Sequence, residues 1–192
     1  HGDSAGSHGL PYKSPAMYEE LVRVPFVISW PGHIEPGVSD ALISQVDLLP
    51  TLCDLAGVTP PEGMDGRSLS PVLEKPGKGP DDWREAVYVE YYGKQHWRVP
   101  IRMVRTRDFK YVRYLAYGDE LYDLEADPHE RRNLIRSPDV AERRRDLSRQ
   151  LEAWMKRTHD PFEKLRVTDR KGQALSPEQI REQIQAPSSV PQ

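Results

Sequence analysis

Residues 1–32, HGDSAGSHGLPYKSPAMYEELVRVPFVISWPG, decide how the rest of the chain is read. They set two histidines and a lysine, His1, His8 and Lys13, in Gly/Ser/Pro-rich chain with few good helix or strand positions, so residues 1–13 read as a loop. Ser14-Pro15 then reads as a helix start, an N-cap serine followed by proline where its missing N–H costs nothing. Ala16, Met17, Leu21 and Val22 supply an apolar face, and the helix must end by Arg23-Val24, because the residue before Pro25 is pushed out of the α region. Residues 24–30 are almost continuously apolar and stop at Pro31-Gly32. Continuous rather than alternating hydrophobicity predicts a strand buried on both faces, as in a parallel sheet covered by helices.

Outward from this stretch, residues 41–46 read as a short extended piece. Asp47 is placed to cap a helix running to Ala56, with Gly57 as its stop and Leu48, Leu49, Leu52, Cys53, Leu55 and Ala56 as a core face. Cys53 on that face reads as a buried, inert thiol. Residues 59–80 are rich in proline and glycine and read as a subdomain connection, with Asp65-Gly66-Arg67-Ser68-Leu69 as a conformational lock in which Gly66 permits a turn. The pattern then turns to β. Residues 86–92, 101–106, 109–116 and 120–124 are four strand candidates, and the short spacers Arg107-Asp108 and Tyr117-Gly118 predict an antiparallel meander for at least the last three. Ser137-Pro138 repeats the helix start, and Val140, Leu147, Leu151, Trp154 and Met155 form a narrow stripe suited to packing on a sheet face. Beyond Asp160 apolar residues thin out, so the final thirty or so residues read as an extension or partly disordered, apart from a short helix at 177–185. The expected organisation is 1–80, 81–160 and 161–192.

Composition narrows the function classes. The 192 residues carry 30% charged side chains but a net charge of only −3, so no basic face marks nucleic acid as a partner. One cysteine excludes an internal disulfide, and no run approaches the ~20 apolar residues of a membrane span. The chain opens on His1 inside what reads as a loop, so an upstream segment is expected.

Chemistry concentrates in two places. His1, His8 and Lys13 share a loop ahead of a predicted core strand, where open α/β sheets bind ligands. Histidine coordinates metals or moves protons near neutral pH, and lysine stabilises an anion. Spacing alone leaves a solvated loop as the competing explanation. Lys94, His96 and Arg98, between the first two strands, form a second cationic group that reads either as solvated or as touching an anionic substrate. The arginine runs 131–132 and 143–145 read as solvated faces.

The segment HGDSAGSHGLPYKSPAMYEELVRVP resembles the metal-and-lysine segment of the sulfatase family, within the alkaline-phosphatase-like superfamily. Further stretches, SDALISQVDLLPTLCDLAGV (39–58), MDGRSLSPVL (64–73), MVRTRDFKYVRY (103–114) and ELYDLEADPHERRNL (120–134), match the same family in order. The resemblance implies an α/β fold: the C-terminal portion of a sulfatase core, then a small four-stranded antiparallel sheet with a packed helix. It implies a divalent cation, calcium, bound by His1 together with an aspartate just upstream, and Lys13 on the sulfate and leaving oxygen. His8, between the two on the same loop, reads either as a substrate contact or proton relay or as a loop-structuring residue. By the resemblance His96 is the preferred substrate contact of the second cationic group, with a solvated loop as the alternative, and Tyr18, Glu19 and Arg23 read as structural, with Arg23 paired to a carboxylate. The family's nucleophile is a formylglycine made within Cys-x-Pro/Ser-x-Arg. Cys53 begins Cys-Asp-Leu-Ala-Gly, so the nucleophile is expected upstream and this chain alone is expected to be inactive. The implied reaction is hydrolysis of an aryl or carbohydrate sulfate ester in a periplasmic or secreted enzyme; the alternatives are a phosphonate or phosphate ester hydrolase and a non-catalytic relative. Oligomeric state is left open.

Overall fold

The computed structural model describes residues 1–75, 77 and 79–185. Contacts divide the chain into two units, one of His1–Val24 with Tyr88–Gln192 and one of Pro25–Val87.

The first unit is built on a four-stranded sheet in the order β1-β2-β3-β4, with β1 Ala86–Lys94, β2 Trp97–Thr106, β3 Phe109–Tyr114 and β4 Gly118–Asp123. The meander is as the spacers predict: β2 pairs antiparallel with β3 from Ile101↔Tyr114 to Arg105↔Lys110, and β3 with β4 from Phe109↔Asp123 to Tyr114↔Gly118. β2 starts four residues earlier than its apolar run, passing through Pro100, and its register with β3 begins directly after that proline, where no ring interrupts the ladder.

Strand alternation sorts the side chains onto two faces. One face carries Ile101, Met103, Arg105, Lys110, Val112, Tyr114, Glu120 and Tyr122. Met17 joins Val99, Ile101, Met103 and Val112 in a core there, with Val22 against it. The other face meets α4, Ala141–Arg157, whose Leu147, Leu151 and Met155 recur at i, i+4 and are buried. Arg113 of β3 donates to Ser148 and Glu152 of α4, and Trp154 stacks on Tyr88 with ring centroids 5.1 Å apart. Both faces of this small sheet are therefore covered, which is why β2 is buried along most of its length.

The N-terminal segment is fastened to its face by charge. Lys110 has no exposed side-chain area; its Nζ lies 2.8 Å from Glu19 and 2.7 Å from Glu130, and donates to the Met17 carbonyl at 2.8 Å. Glu130 Oε2 accepts the Glu19 N–H at 2.6 Å, and Arg105 pairs with Glu19 at 3.1 Å. Burial raises the Glu130 carboxyl above its ordinary value. At Glu19 the same burial is outweighed by the Arg105 hydrogen bond and the Lys110 charge, so its carboxyl is lowered. Beyond α4, Asp160 takes a two-pronged hydrogen bond from buried Arg102 at 2.5 and 2.8 Å.

Several expectations are corrected. The helix predicted from Pro15 is the single turn α1, Glu19–Val22; Ser14 Oγ donates to the Tyr12 carbonyl instead of capping. Residues 161–185, expected as an extension, are built into the unit: Phe162, Val167, Thr168 and Ile180 are buried, and Pro177–Gln185 forms the predicted helix, α5. Residues 186–192 of that expectation lie outside the described residues. Arg143 and Arg144 are not merely solvated, since they bond Asp108 and the Ile135 carbonyl.

In the second unit, residues 24–30 form no strand. Val27 is 89% exposed and Phe26 and Trp30 about 40%, because a strand buried on both faces needs neighbouring strands and covering helices, which the described residues do not place beside it. Residues 41–46 likewise join no ladder. The predicted helix is present as α2, Leu48–Leu55, but Leu48, Leu49 and Leu52 are exposed and Cys53 is only half-buried. The unit's small core is Leu69, Val72 and Trp83, carried partly by α3, Ser70–Glu74. Its hub is Asp47, which is fully buried and accepts from Ser44 N, Arg67 N and Arg84 Nη2 at 2.8, 3.0 and 2.7 Å. The lock at 65–69 is real, but Gly66 serves close approach rather than a turn: a Cβ there would stand 1.9 Å from the Val46 carbonyl oxygen. Among the described residues no helix is long and apolar enough to cross a membrane.

Replacing Lys110 by Met leaves Glu19 and Glu130 buried without their shared cation and is expected to lower unfolding free energy by about 3–5 kcal/mol at pH 7, read from urea unfolding. The Glu19 contribution is present above its ordinary pKa of 4.5 and is lost as pH falls through its lowered folded value. The deficit of the variant therefore shrinks in acid; an equal deficit at pH 7 and pH 4 would contradict this account.

Candidate functional site

Residues 1–18 form an irregular loop held by short-range bonds. Gly2 N donates to the Leu21 carbonyl at 2.9 Å, an approach open only to glycine, since a Cβ would lie 1.9 Å from the Glu20 carbonyl oxygen. Ala5 and His8 adopt positive φ of 46° and 54°, backbone strain that neighbouring contacts must offset. The Ser7 hydroxyl donates to Glu20 at 2.6 Å and, against the upward push of burial, holds that carboxyl below its usual range.

The four predicted site residues fall in different settings. His8 stacks on Tyr18 with centroids 3.6 Å apart and planes 4° from parallel; its buried Nε2 has no hydrogen-bond partner among the described residues and stands 4.0 Å from Glu20. His1 is exposed, with Nδ1 3.2 Å from the Gly2 carbonyl oxygen. Lys13 is exposed and lines a groove of about 610 Å³. His96 does not line that groove; it occupies the tight turn between β1 and β2, where its carbonyl accepts Thr168 Oγ1. Arg23, expected to pair with a carboxylate, is exposed and makes no ion pair among the described residues, whereas Tyr18 packs and Glu19 is structural as expected.

The groove lies where β2 begins and β3 turns into β4. Besides Lys13 its walls include Tyr12, Trp97, Tyr114, Glu120 and Arg170, none singled out from the sequence. The register of the meander could have flagged Tyr114 and Glu120, which share a face two residues apart across the β3–β4 pair. Arg170 had no local signal. Tyr114 donates to Glu120 Oε2 at 3.2 Å. Burial, then the charges of neighbouring acids, raises the Tyr114 hydroxyl; burial also raises the Glu120 carboxyl, with Glu130 adding to it and the Tyr114 bond opposing it. The result is an open cleft lined by aromatic rings and carboxyls, with the exposed Lys13 at its rim.

As a cation centre the chain is incomplete. No group of three or more metal-ligating side chains occurs among the described residues, and Asp3 beside His1 accepts the Ala5 N–H. The exposed imidazole of His1 is a single donor and does not make a site by itself.

Comparisons with known proteins identify the family. A family model described as N-sulphoglucosamine sulphohydrolase, C-terminal, matches residues 6–157. An N-acetylglucosamine-6-O-sulfatase of Bacteroides thetaiotaomicron is 39% identical over 83% of this chain and 30% of its own length. A Delta 4,5-hexuronate-2-O-sulfatase of the same organism is 36% identical over 87% and 35%. A solved structure in complex with its substrate D-glucosamine-2-N,6-O-disulfate superposes with a TM-score of 0.76 and 38% identity, covering 83% of this chain and 33% of that one. The chain belongs to the sulfatase family, whose members generally use a divalent cation and a formylglycine. Within it, the region matched is the C-terminal one, and the chain spans about a third of the length of these relatives.

The raised Glu120 carboxyl is open to direct measurement. Carboxyl 13C titration should place its midpoint above the ordinary 4.5, and Tyr114→Phe, by removing a bond that favours the ionised form, should move it higher still. A downward shift in the variant would contradict the assignment.

Proposed function

We propose that this chain is the leaving-group side of a sulfuric ester hydrolase acting on an aryl or carbohydrate sulfate, with the nucleophile and most metal ligands supplied by sequence outside it. The observation that carries the reading is Lys13, an exposed cation without an ion pair among the described residues, on the rim of a groove that holds tyrosines, a tryptophan and carboxyls. Cleaving a sulfate ester leaves negative charge on the departing oxygen. A fixed ammonium there stabilises the charge as it grows and can give the oxygen a proton.

His1 contributes one imidazole to the cation, the calcium that the family resemblance implies, and that cation when bound would neutralise sulfate oxygens as a Lewis acid. His8, stacked flat on Tyr18 with a buried Nε2 that has no hydrogen-bond partner among the described residues, is assigned in this reading to the substrate as a donor or proton relay. His96 supports the groove indirectly, through the carbonyl that holds Thr168, rather than as a substrate contact. The formylglycine lies outside this chain; Cys53 neither begins the required pattern nor lines the groove.

Phosphonate or phosphate ester hydrolysis would use the same cationic pair, but the relatives named above are sulfatases. In the whole protein, Lys13→Ala should lower kcat on sulfate esters by roughly 100-fold or more, with a smaller loss for substrates whose leaving phenol needs no proton. Unchanged turnover would remove Lys13 from the reaction, faster turnover of phosphonate than sulfate esters would favour the alternative, and no turnover of any ester would favour a non-catalytic relative.

A further inference from the structure

One lining residue of the groove, Arg170, comes from chain beyond the residues that the family model matches, which end at 157. Thr168 and Ala174 form an antiparallel bridge, closing a short hairpin whose turn is tied by Asp169 Oδ1, which accepts the Lys171 and Gln173 N–H groups at 2.8 Å each. The hairpin is anchored to the sheet through one residue. Thr168 N donates to the Arg98 carbonyl at 3.0 Å, Thr168 Oγ1 accepts the Arg98 N–H at 2.9 Å, and the same hydroxyl donates to the His96 carbonyl. Gly172, at φ 85°, sits against the His96 side chain.

This anchoring fixes Arg170 at the hairpin tip. Its guanidinium lies over the Trp97 ring, 5.6 Å from the centroid, and both residues line the groove. A guanidinium held on an aromatic face keeps its N–H edge free and loses little further freedom on binding an anion. No carboxylate pairs with Arg170 or Lys13 among the described residues. The acids of the groove are hydrogen-bonded to tyrosines rather than to either cation: Asp119 accepts the Tyr111 hydroxyl, and Glu120 that of Tyr114. Two uncommitted cations therefore border one cleft, and the reaction proposed above accounts for one.

We propose that Arg170, seated on Trp97, is a specificity-determining residue that binds a second anionic group on the saccharide, separate from the sulfate ester being cleaved. This rests on the sulfatase reading of the same groove. The group is a carboxylate or a second sulfate, either of which the planar fork of a guanidinium grips through two parallel hydrogen bonds.

The test uses the whole protein and three sulfate esters: an N-acetylglucosamine 6-O-sulfate, which has no further charge, glucosamine-2-N,6-O-disulfate, and a monosulfated disaccharide of N-acetylglucosamine bearing a uronate. Arg170→Ala should raise KM at least ~10-fold for a substrate carrying the second anion, leaving kcat and the singly charged ester nearly unchanged. Arg170→Lys should recover only part of the loss, because it keeps charge without the fork. A loss confined to the disulfate identifies a second sulfate, a loss confined to the uronate identifies a carboxylate, and a loss on both identifies anion binding of either kind. Equal effects on all three esters, or none, overturn the inference while the sulfatase reading stands. No turnover of any ester by the wild-type protein overturns both. Because Arg170 is exposed, unfolding midpoints of both variants should match wild type.

Discussion

A lysine with no exposed area is the constraint on which the first unit depends. A lone buried ammonium is untenable, so Lys110 in the middle of the sheet demands anionic partners. They arrive from stretches 111 residues apart in sequence: Glu19 from the N-terminal turn and Glu130 from the loop after β4. Each carboxylate then has a further partner, Glu19 in Arg105 and Glu130 in the Glu19 backbone N–H. Their net contribution to stability is modest beside an apolar equivalent. Their effect is one of position, because only one docking of the N-terminal segment satisfies them all.

The groove follows from that docking. With Met17 and Glu19 pinned to the sheet face, Tyr18 falls between His8 and Tyr122, the preceding residues run past Tyr114 and Glu120, and Lys13 reaches the rim. The opposite wall is positioned by the buried Arg102–Asp160 pair, which turns the chain after α4, and by Thr168, which fastens the hairpin to the β1–β2 turn. Chemistry-bearing side chains sit on loops, while the groups that hold those loops are charges and hydroxyls buried in the sheet's flanks.

The second unit repeats the device on a smaller scale. Asp47, fully buried, gathers two backbone N–H groups and the Arg84 guanidinium, while Arg67 lies 3.8 Å over the Trp83 ring. This hub, rather than the leucines of α2, orders the segment, which is why a helix read as core exposes Leu48, Leu49 and Leu52.

From sequence alone, the meander, the long helix with its Leu147, Leu151 and Met155 stripe, the loop bearing Lys13, and the family were all legible. Those signals are local: period-2 and period-3.6 patterning, two-residue turns and ordered motifs survive in any short window. The misreadings were non-local. Residues 24–30 look like a core strand, but burial belongs to neighbours and not to the run itself. Nothing in the local sequence marks Lys110 as buried; the covering of both faces of the sheet does that. Arg170 lay in a stretch too polar to draw notice, and only the bridge at Thr168 and the indole of Trp97 set it opposite Lys13 in one cleft. Residues more than 150 positions apart share that groove because buried charges and hydroxyls, each needing a partner, closed the chain on itself.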